Sequence, residues 1–181
     1  MSVPPYVCGA VGLYLFALSS DRYRERGYHI VTGIMIALIG LIIIVTVPVS
    51  APGARYAGLC IFLFGSYVSP PLTVAWLSGN TPEPGKRSLV LGVNGWGNLA
   101  GVIGAQLYRS EYAPAYKTPF YATLGFVAAS LLGYLSYRWT LQMVNRRRKA
   151  KMLDKSEADA EAERMNPTRY GDNKWTFIYG L

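Results

Sequence analysis

Apolar and charged residues are segregated along this chain rather than mixed. Counting only Asp, Glu, Lys and Arg, residues 1–20, 27–54, 56–82, 88–108 and 118–137 are free of charge. A hydrocarbon core of roughly 30 Å is crossed by about 20 apolar residues of helix, and five stretches approach or exceed that length. The pattern predicts helices near 4–19, 28–48, 56–78, 87–108 and 119–140. Short loops at 20–27, 49–55, 79–86 and 109–118 join them. Turn formers punctuate these loops: Pro48, Pro52 and Gly53 in the second, Gly79, Pro82, Pro84 and Gly85 in the third, Pro114 in the fourth. The fold class expected is all-α and integral to the membrane, with about five transmembrane helices. Two regions follow, a transmembrane helical bundle over 1–143 and a polar tail over 144–181. The tail opens NRRRKAK and then carries Glu157, Asp159, Glu161 and Glu163, a composition suited to a solvated or weakly helical segment.

The helices differ in character. The second is rich in Ile and Val around its whole circumference, as expected of a helix that mostly faces lipid. The fourth is crowded with Gly92, Gly95, Gly97, Gly101 and Gly104. Small residues spaced by four let helix backbones approach closely in a membrane, so the fourth helix is expected to be internal.

Charge sets the orientation. Arg22, Arg24 and Arg26 lie in the first loop, Lys86 and Arg87 follow the third, and Arg146, Arg147, Arg148, Lys149 and Lys151 open the tail. The opposite side holds Arg55, Arg109 and Lys117. Excess positive charge marks cytoplasmic loops, so the first loop, the third loop and the C-terminus are expected in the cytoplasm. With 51% hydrophobic and only 15% charged residues, the net charge of +8 sits at helix ends. It forms no basic surface with interleaved aromatics, and nucleic-acid binding is not expected. The chain begins MSVPPYVCGA, with no Lys or Arg before the apolar run. This lacks the basic start of a signal peptide and reads as a retained helix that begins abruptly.

Few residues here suit catalysis. His29 is the single histidine, Cys8 and Cys60 lie in apolar stretches without metal-ligand or redox spacing, and no nucleophile elbow or phosphate-cradling glycine loop is present. Neither an enzyme, a metal site nor a cofactor is expected. The polar residues inside apolar helices carry more information. Asn94 and Asn98 share one helix face. Asparagine in hydrocarbon needs a partner or a water-filled cavity, so the pair either borders a substrate or gating surface or bonds neighbouring helices together. Pro70 and Pro71 fall inside the third helix, where proline removes a backbone hydrogen bond; they either shape a cavity or form a plain kink. Tyr67 and Trp76 either offer ring faces to a ligand or serve as packing anchors. In the first loop, Asp21 beside Arg22 and Arg26 either latches a cytoplasmic seam or is simply solvated.

Taken together these stretches resemble a known family. The loop SSDRYRERG resembles the Asp-Arg…Arg-Gly signature between the eighth and ninth helices of major facilitator transporters. AWLSGNTPEPGKRSLVLGVNGWGNLAGVIGAQLY is similar to the tenth and eleventh helices of the fungal allantoate permease family, the anion:cation symporters. Its W-L-x-x-N, K-R and G-N-x-x-G elements fall on Trp76, Leu77, Asn80, Lys86, Arg87, Gly97, Asn98 and Gly101. APAYKTPFYATLGF, YRWTLQMVNRRRKAK and GDNKWTFIYGL resemble the last helix and tail.

The resemblance implies that the five helices are numbers eight to twelve of a twelve-helix fold, incomplete here, with an N-terminal half missing. It implies a symporter that moves a small organic anion, of carboxylate or vitamin type, with protons by alternating access, in the plasma membrane. Neither a proton-carrying carboxylate nor a cation for the substrate stands at mid-membrane depth in residues 1–140; Arg109 and Arg138 lie near helix ends, where they are expected to snorkel. The alternative is a non-transporting truncated membrane protein that partners with or regulates full-length permeases.

Overall fold

The computed structural model describes residues 3–113, 115–168 and 171–181. Met1, Ser2, Pro114, Arg169 and Tyr170 lie outside it, and with them the turn residue expected at Pro114. The described residues form helices α1 (Val3–Tyr23), α2 (Gly27–Thr46), α3 (Pro52–Ser66), α4 (Ser69–Asn80), α5 (Pro84–Gly95), α6 (Ala100–Leu107), α7 (Lys117–Asp154) and α8 (Glu157–Met165). Among the described residues, four spans are long and apolar enough to cross a membrane: Val3–Tyr23, Gly27–Thr46, Pro52–Asn80 and Lys117–Asp154. The crossing expected over 87–108 is interrupted. A 3-10 turn at Trp96–Leu99 separates α5 from α6, where Gly95 and Gly97 hold the helix weakly and a tighter winding takes over.

The third span is also two helices. Pro70 has no N–H to offer Ser66, and Pro71 none to offer Tyr67, so the ladder lapses just before them. The backbone changes to a shorter bond, from Val68 N–H to Gly65 O at 3.3 Å. α4 then starts with both prolines in its first turn, where an N–H would be unpaired anyway.

The packing reverses the lipid-facing expectation for the second helix. α2 is the hub of the bundle, burying Ile30, Ile34, Ala37, Leu41 and Ile44 on one face, while Met35, Ile39 and Ile42 lie exposed on the other. Both faces are equally apolar, so composition alone could not tell core from lipid. The close glycine crossing lies here too. A Cβ on Gly33 would meet Gly65 O at 3.1 Å, and one on Gly58 would meet Gly40 O at 3.1 Å, so α2 and α3 approach backbone to backbone. By contrast, a Cβ on Gly92, Gly95, Gly97, Gly101 or Gly104 meets no atom of the described residues within 4 Å. The glycine-rich segment expected to be internal is thus open on its glycine face among the described residues. Its apolar residues Leu89, Val93, Trp96, Leu99, Val102 and Ile103 are all exposed.

Chain alternation brings the loop after α1, the loop after α4 and the tail to one end of the bundle, here called the tail end. The turns after α2 and α6 meet at the other, where Arg55 Nη2 donates to Ala115 O at 3.0 Å. α7, at 1.5 Å per residue, is about 57 Å long and projects beyond the tail end. A capping box closes α8, with Ser156 accepting from Asp159 N–H and Asp159 accepting in return.

Candidate functional site

Between α4, the α5–turn segment and α7 lies an open cavity of about 690 Å³. Proline and glycine make its walls possible. The first turn of α4 presents Ser69, Pro70, Pro71 and Thr73; the facing wall presents Asn94, Gly95, Gly97 and Asn98; Tyr134 of α7 closes the back. Thr73 Oγ1 donates to Ser69 O at 2.6 Å. With its one proton committed there, the 2.6 Å contact between Thr73 Oγ1 and Tyr134 Oη must have the phenol as donor. Ser69 Oγ is buried without a partner among the described residues. Among the described residues neither Asn94 nor Asn98 has a side-chain partner, and neither bonds α5 to a neighbouring helix. The lining offers amides and hydroxyls and holds no carboxylate, ammonium or guanidinium. It is suited to orienting a polar solute by hydrogen bonds, and any charge on that solute would be met by groups other than these.

Four of the cavity candidates from the sequence therefore come together: Pro70, Pro71, Asn94 and Asn98, with Gly97 between them. Tyr67 and Trp76 do not join them. The Tyr67 ring lies over Gly9 of α1. Trp76 is a core residue, 2% exposed, standing edge-on to Tyr137 at 4.9 Å. Gly101 lies one turn beyond the cavity wall.

The remaining motif residues gather at the tail end. Asp21 and Arg26 pair at 3.5 Å in an exposed position, and Arg22 is exposed beside them. The better-buried ion pair uses residues that sequence reasoning did not select. Arg138 of α7 donates from Nε and Nη2 to Glu25 Oε1, both at 3.2 Å, and lies 3.5 Å above the ring of Tyr28. The Arg138 guanidinium does not snorkel; it is buried against Gly27, whose missing side chain makes room for it.

The acidic stretch expected to be solvated or weakly helical is the mostly exposed helix α8, and beyond it the tail returns to the bundle. Residues 171–181 lie between α4 and α7, and two asparagines grip consecutive residues from opposite sides. Asn145 Nδ2 donates to Tyr179 O at 2.8 Å and its Oδ1 accepts from Tyr179 N–H at 2.9 Å. Asn80 Nδ2 donates to Gly180 O at 3.0 Å and its Oδ1 accepts from Gly180 N–H at 2.8 Å. Such alternation is what an extended chain presents to its two sides. Trp76 Nε1 donates to Gly180 O at 2.8 Å, Arg26 N–H to Leu181 O at 2.8 Å, and Arg148 to Phe177 O and Asp172 O, each at 2.7 Å.

Lys86 Nζ meets Asp172 Oδ2 at 2.5 Å. Burial pushes the Asp172 carboxyl up, but the Lys86 hydrogen bond and charge outweigh it and hold the group below the usual carboxylate range. The same bond raises Lys86. Arg87 donates to Thr81 O at 2.8 Å and to Pro82 O at 3.3 Å, closing the α4–α5 loop. Trp76, Asn80, Lys86 and Arg87 thus build the tail end rather than the cavity. A signal for this was present: Arg138, Leu141, Asn145 and Arg148 recur at three- and four-residue spacing on one face of α7, as do Leu72, Trp76 and Asn80 on α4.

Comparison with known proteins supplies the context for this geometry. No protein-family profile matches the chain, and no solved structure matches it. Its homologues are fungal transporters of the major facilitator type. An uncharacterised transporter of Schizosaccharomyces pombe is 30% identical over 100% of this chain and 34% of its own length. The major facilitator-type transporter hxnP of Emericella nidulans is 33% identical over 81% of this chain and 30% of its own. A high-affinity nicotinic acid transporter of Saccharomyces cerevisiae is 32% identical over 72% of this chain and 24% of its own. The chain spans about a third of the length of the first relatives it matches. These homologues are transporters, not enzymes, and with the apolar helices they make this a multi-pass membrane chain.

Proposed function

We propose that this chain, a homologue of fungal major facilitator-type transporters, supplies helices eight to twelve of a secondary active transporter for a small organic anion of carboxylate or vitamin type. The transporter works by alternating access with protons, in the plasma membrane, with the tail end in the cytoplasm. The observation that carries the reading is the meeting of Asn94, Asn98 and the Pro70–Pro71 break around one uncharged polar cavity. Free amides in an apolar surround are costly unless they meet a polar solute or water. The name of the yeast relative makes nicotinate the first compound to try.

In this reading Asn94 and Asn98 orient the substrate and the proline break lets α4 flex against α3. The charge that answers the carboxylate and the group that carries the proton come from the rest of the transporter. The open glycine face of α5 and α6 is where the other half packs. Asp21, Arg22 and Arg26 form the cytoplasmic latch against that half.

Uptake tests this. Cells expressing the complete transporter are expected to accumulate labelled nicotinate or a related carboxylate, and more so from acidic medium. Asn98→Ala is expected to lower uptake about three- to tenfold, the loss of one or two hydrogen bonds to substrate, with surface expression retained. Normal uptake by that variant removes Asn98 from the site. A complete protein that moves none of these anions, yet copurifies with a full-length permease and alters its uptake, supports the partner or regulator reading instead.

A further inference from the structure

The face of α7 turned away from the bundle carries an ordered series of side chains. Leu132, Leu135, Trp139, Met143 and Arg146 recur at three- and four-residue intervals and are all exposed, so they form one stripe along the helix. The charge-free stretch 118–137 makes about 30 Å of helix, the depth of the hydrocarbon core. Trp139 therefore stands where an indole meets the membrane interface, and Arg146 follows roughly 10 Å further along the axis. Arg147, Lys149 and Lys151 continue from it, each exposed. The helix runs unbroken to Asp154, which holds these cations on one rod. Side chains on a helix lean toward its N-terminus, which here means back toward the bilayer.

The chain's own acids do not answer these charges. Among the described residues, none of Arg146, Arg147, Lys149 and Lys151 enters an ion pair. Arg148, on the opposite face, shows the contrast, since it is committed to Phe177 O and Asp172 O. Lys151 lies 5.7 Å from the centre of the Trp175 ring, and the ion pair of α8 joins its own Glu161 and Arg164. Two ordinary roles do not account for the cluster. A helix dipole is answered by cations in the last turn, which Lys151 occupies and Arg146 and Arg147 do not. Orientation in the membrane is served by cations anywhere in a loop and asks for no exposed row on a helix. Like charges three and four residues apart repel, as Arg146 does Lys149 and Arg147 does Lys151, and anions seated among them relieve that cost.

We propose that this face of α7 is a docking site for anionic phospholipid headgroups. Trp139 seats at the interface, and Arg146, Arg147, Lys149 and Lys151 gather headgroups of the phosphatidylserine kind around the helix where it leaves the bilayer. The occupant is a lipid because the cations continue an exposed apolar stripe, begin just past the interface and lean toward the membrane. The proposal rests on α7 crossing the bilayer and not on the transport reading, and it is tested without transport.

The test uses the full chain in vesicles, with Cys8 and Cys60 replaced by alanine. A fluorophore on Met143→Cys reads the lipid beside the stripe. One on Ile39→Cys, exposed in the charge-free stretch of α2, reads a reference position. Each is quenched by nitroxide-labelled phosphatidylserine or phosphatidylcholine at equal mole fraction. At Met143→Cys the phosphatidylserine is expected to quench about twofold or more beyond the phosphatidylcholine, while the two quench alike at Ile39→Cys. Replacing all four cations by glutamine is expected to remove the preference. Arg146→Gln with Arg147→Gln, a smaller change of charge, is expected to reduce it part-way. Raising salt from about 0.1 M to about 0.5 M is expected to weaken it through screening. Equal quenching by both lipids at Met143→Cys, with all four cations in place, overturns the proposal whether or not any glutamine variant folds, and leaves the cations to solvent or a soluble acidic partner. A preference that survives the fourfold replacement overturns the role of these cations, and one equally strong at Ile39→Cys overturns a local site.

Discussion

Arg138 shows how much one buried cation can organise at the end of a membrane bundle. Its guanidinium is held by two hydrogen bonds to Glu25 and by the Tyr28 ring, and Gly27 leaves it space. Removing one member of a buried pair leaves the other desolvated and unpaired, which costs about 3 kcal/mol. Glu25 keeps some solvent contact, which holds the cost to the low end of the roughly 3–5 kcal/mol that such losses show. Arg138→Ala is therefore expected to lower the thermal midpoint of the detergent-purified chain by several degrees. Arg138→Lys should recover little, since a lysine neither stacks on the ring nor forks to the carboxylate in this way. An unchanged midpoint in Arg138→Ala would show that the pair is incidental. This contact was hidden in the sequence because Arg138 sits near a helix end, where a basic side chain ordinarily reaches water, and nothing local to it names Glu25, which is far away along the chain.

At the level of helices, hydropathy locates apolar segments well, because each crossing must satisfy its own backbone and so must be long and uncharged. It does not say which faces meet. α2 is buried on one side and exposed on the other with equally apolar residues on both. Glycine spacing was the better clue, yet it occurs twice, and the crossing realised here is that of α2 with α3. A Cβ on Gly40 would meet Phe62 N, and would come within 2.7 Å of Gly58 O, both backbone atoms. Gly40→Leu is accordingly expected to destabilise the chain by about 1–3 kcal/mol, whereas Gly101→Leu, with open space around it, should fall within about 0.5 kcal/mol of the parent. Equal shifts in the two midpoints would contradict the packing described. The Pro70–Pro71 break was legible as well, since two missing N–H groups have one consequence wherever they fall. The 3-10 turn at Trp96–Leu99 was not, because glycine weakens a helix without dictating the winding that replaces it.

At the level of the whole molecule, the alternation of charged and uncharged stretches anticipated which loops share an end, and the contacts of Arg26, Asn80 and Arg138 agree with it. The cavity was partly legible too. Asn94 and Asn98 on one face, opposite a proline break, are unusual enough in hydrocarbon to be read as a site. The docked tail was not, because its residues are polar and its bonds go to main chain, which leaves no trace in composition. The account turns on whether the cavity between α4, α5 and α7 is the solute path. The direct test is substrate protection in a complete transporter that takes up nicotinate, with the native cysteines replaced and Val74→Cys on the cavity wall. Saturating nicotinate is expected to slow maleimide labelling of that cysteine at least fivefold, while labelling at an exposed tail position stays constant. Labelling that proceeds at the same rate with and without nicotinate, in a variant that still transports it, would place the solute path elsewhere.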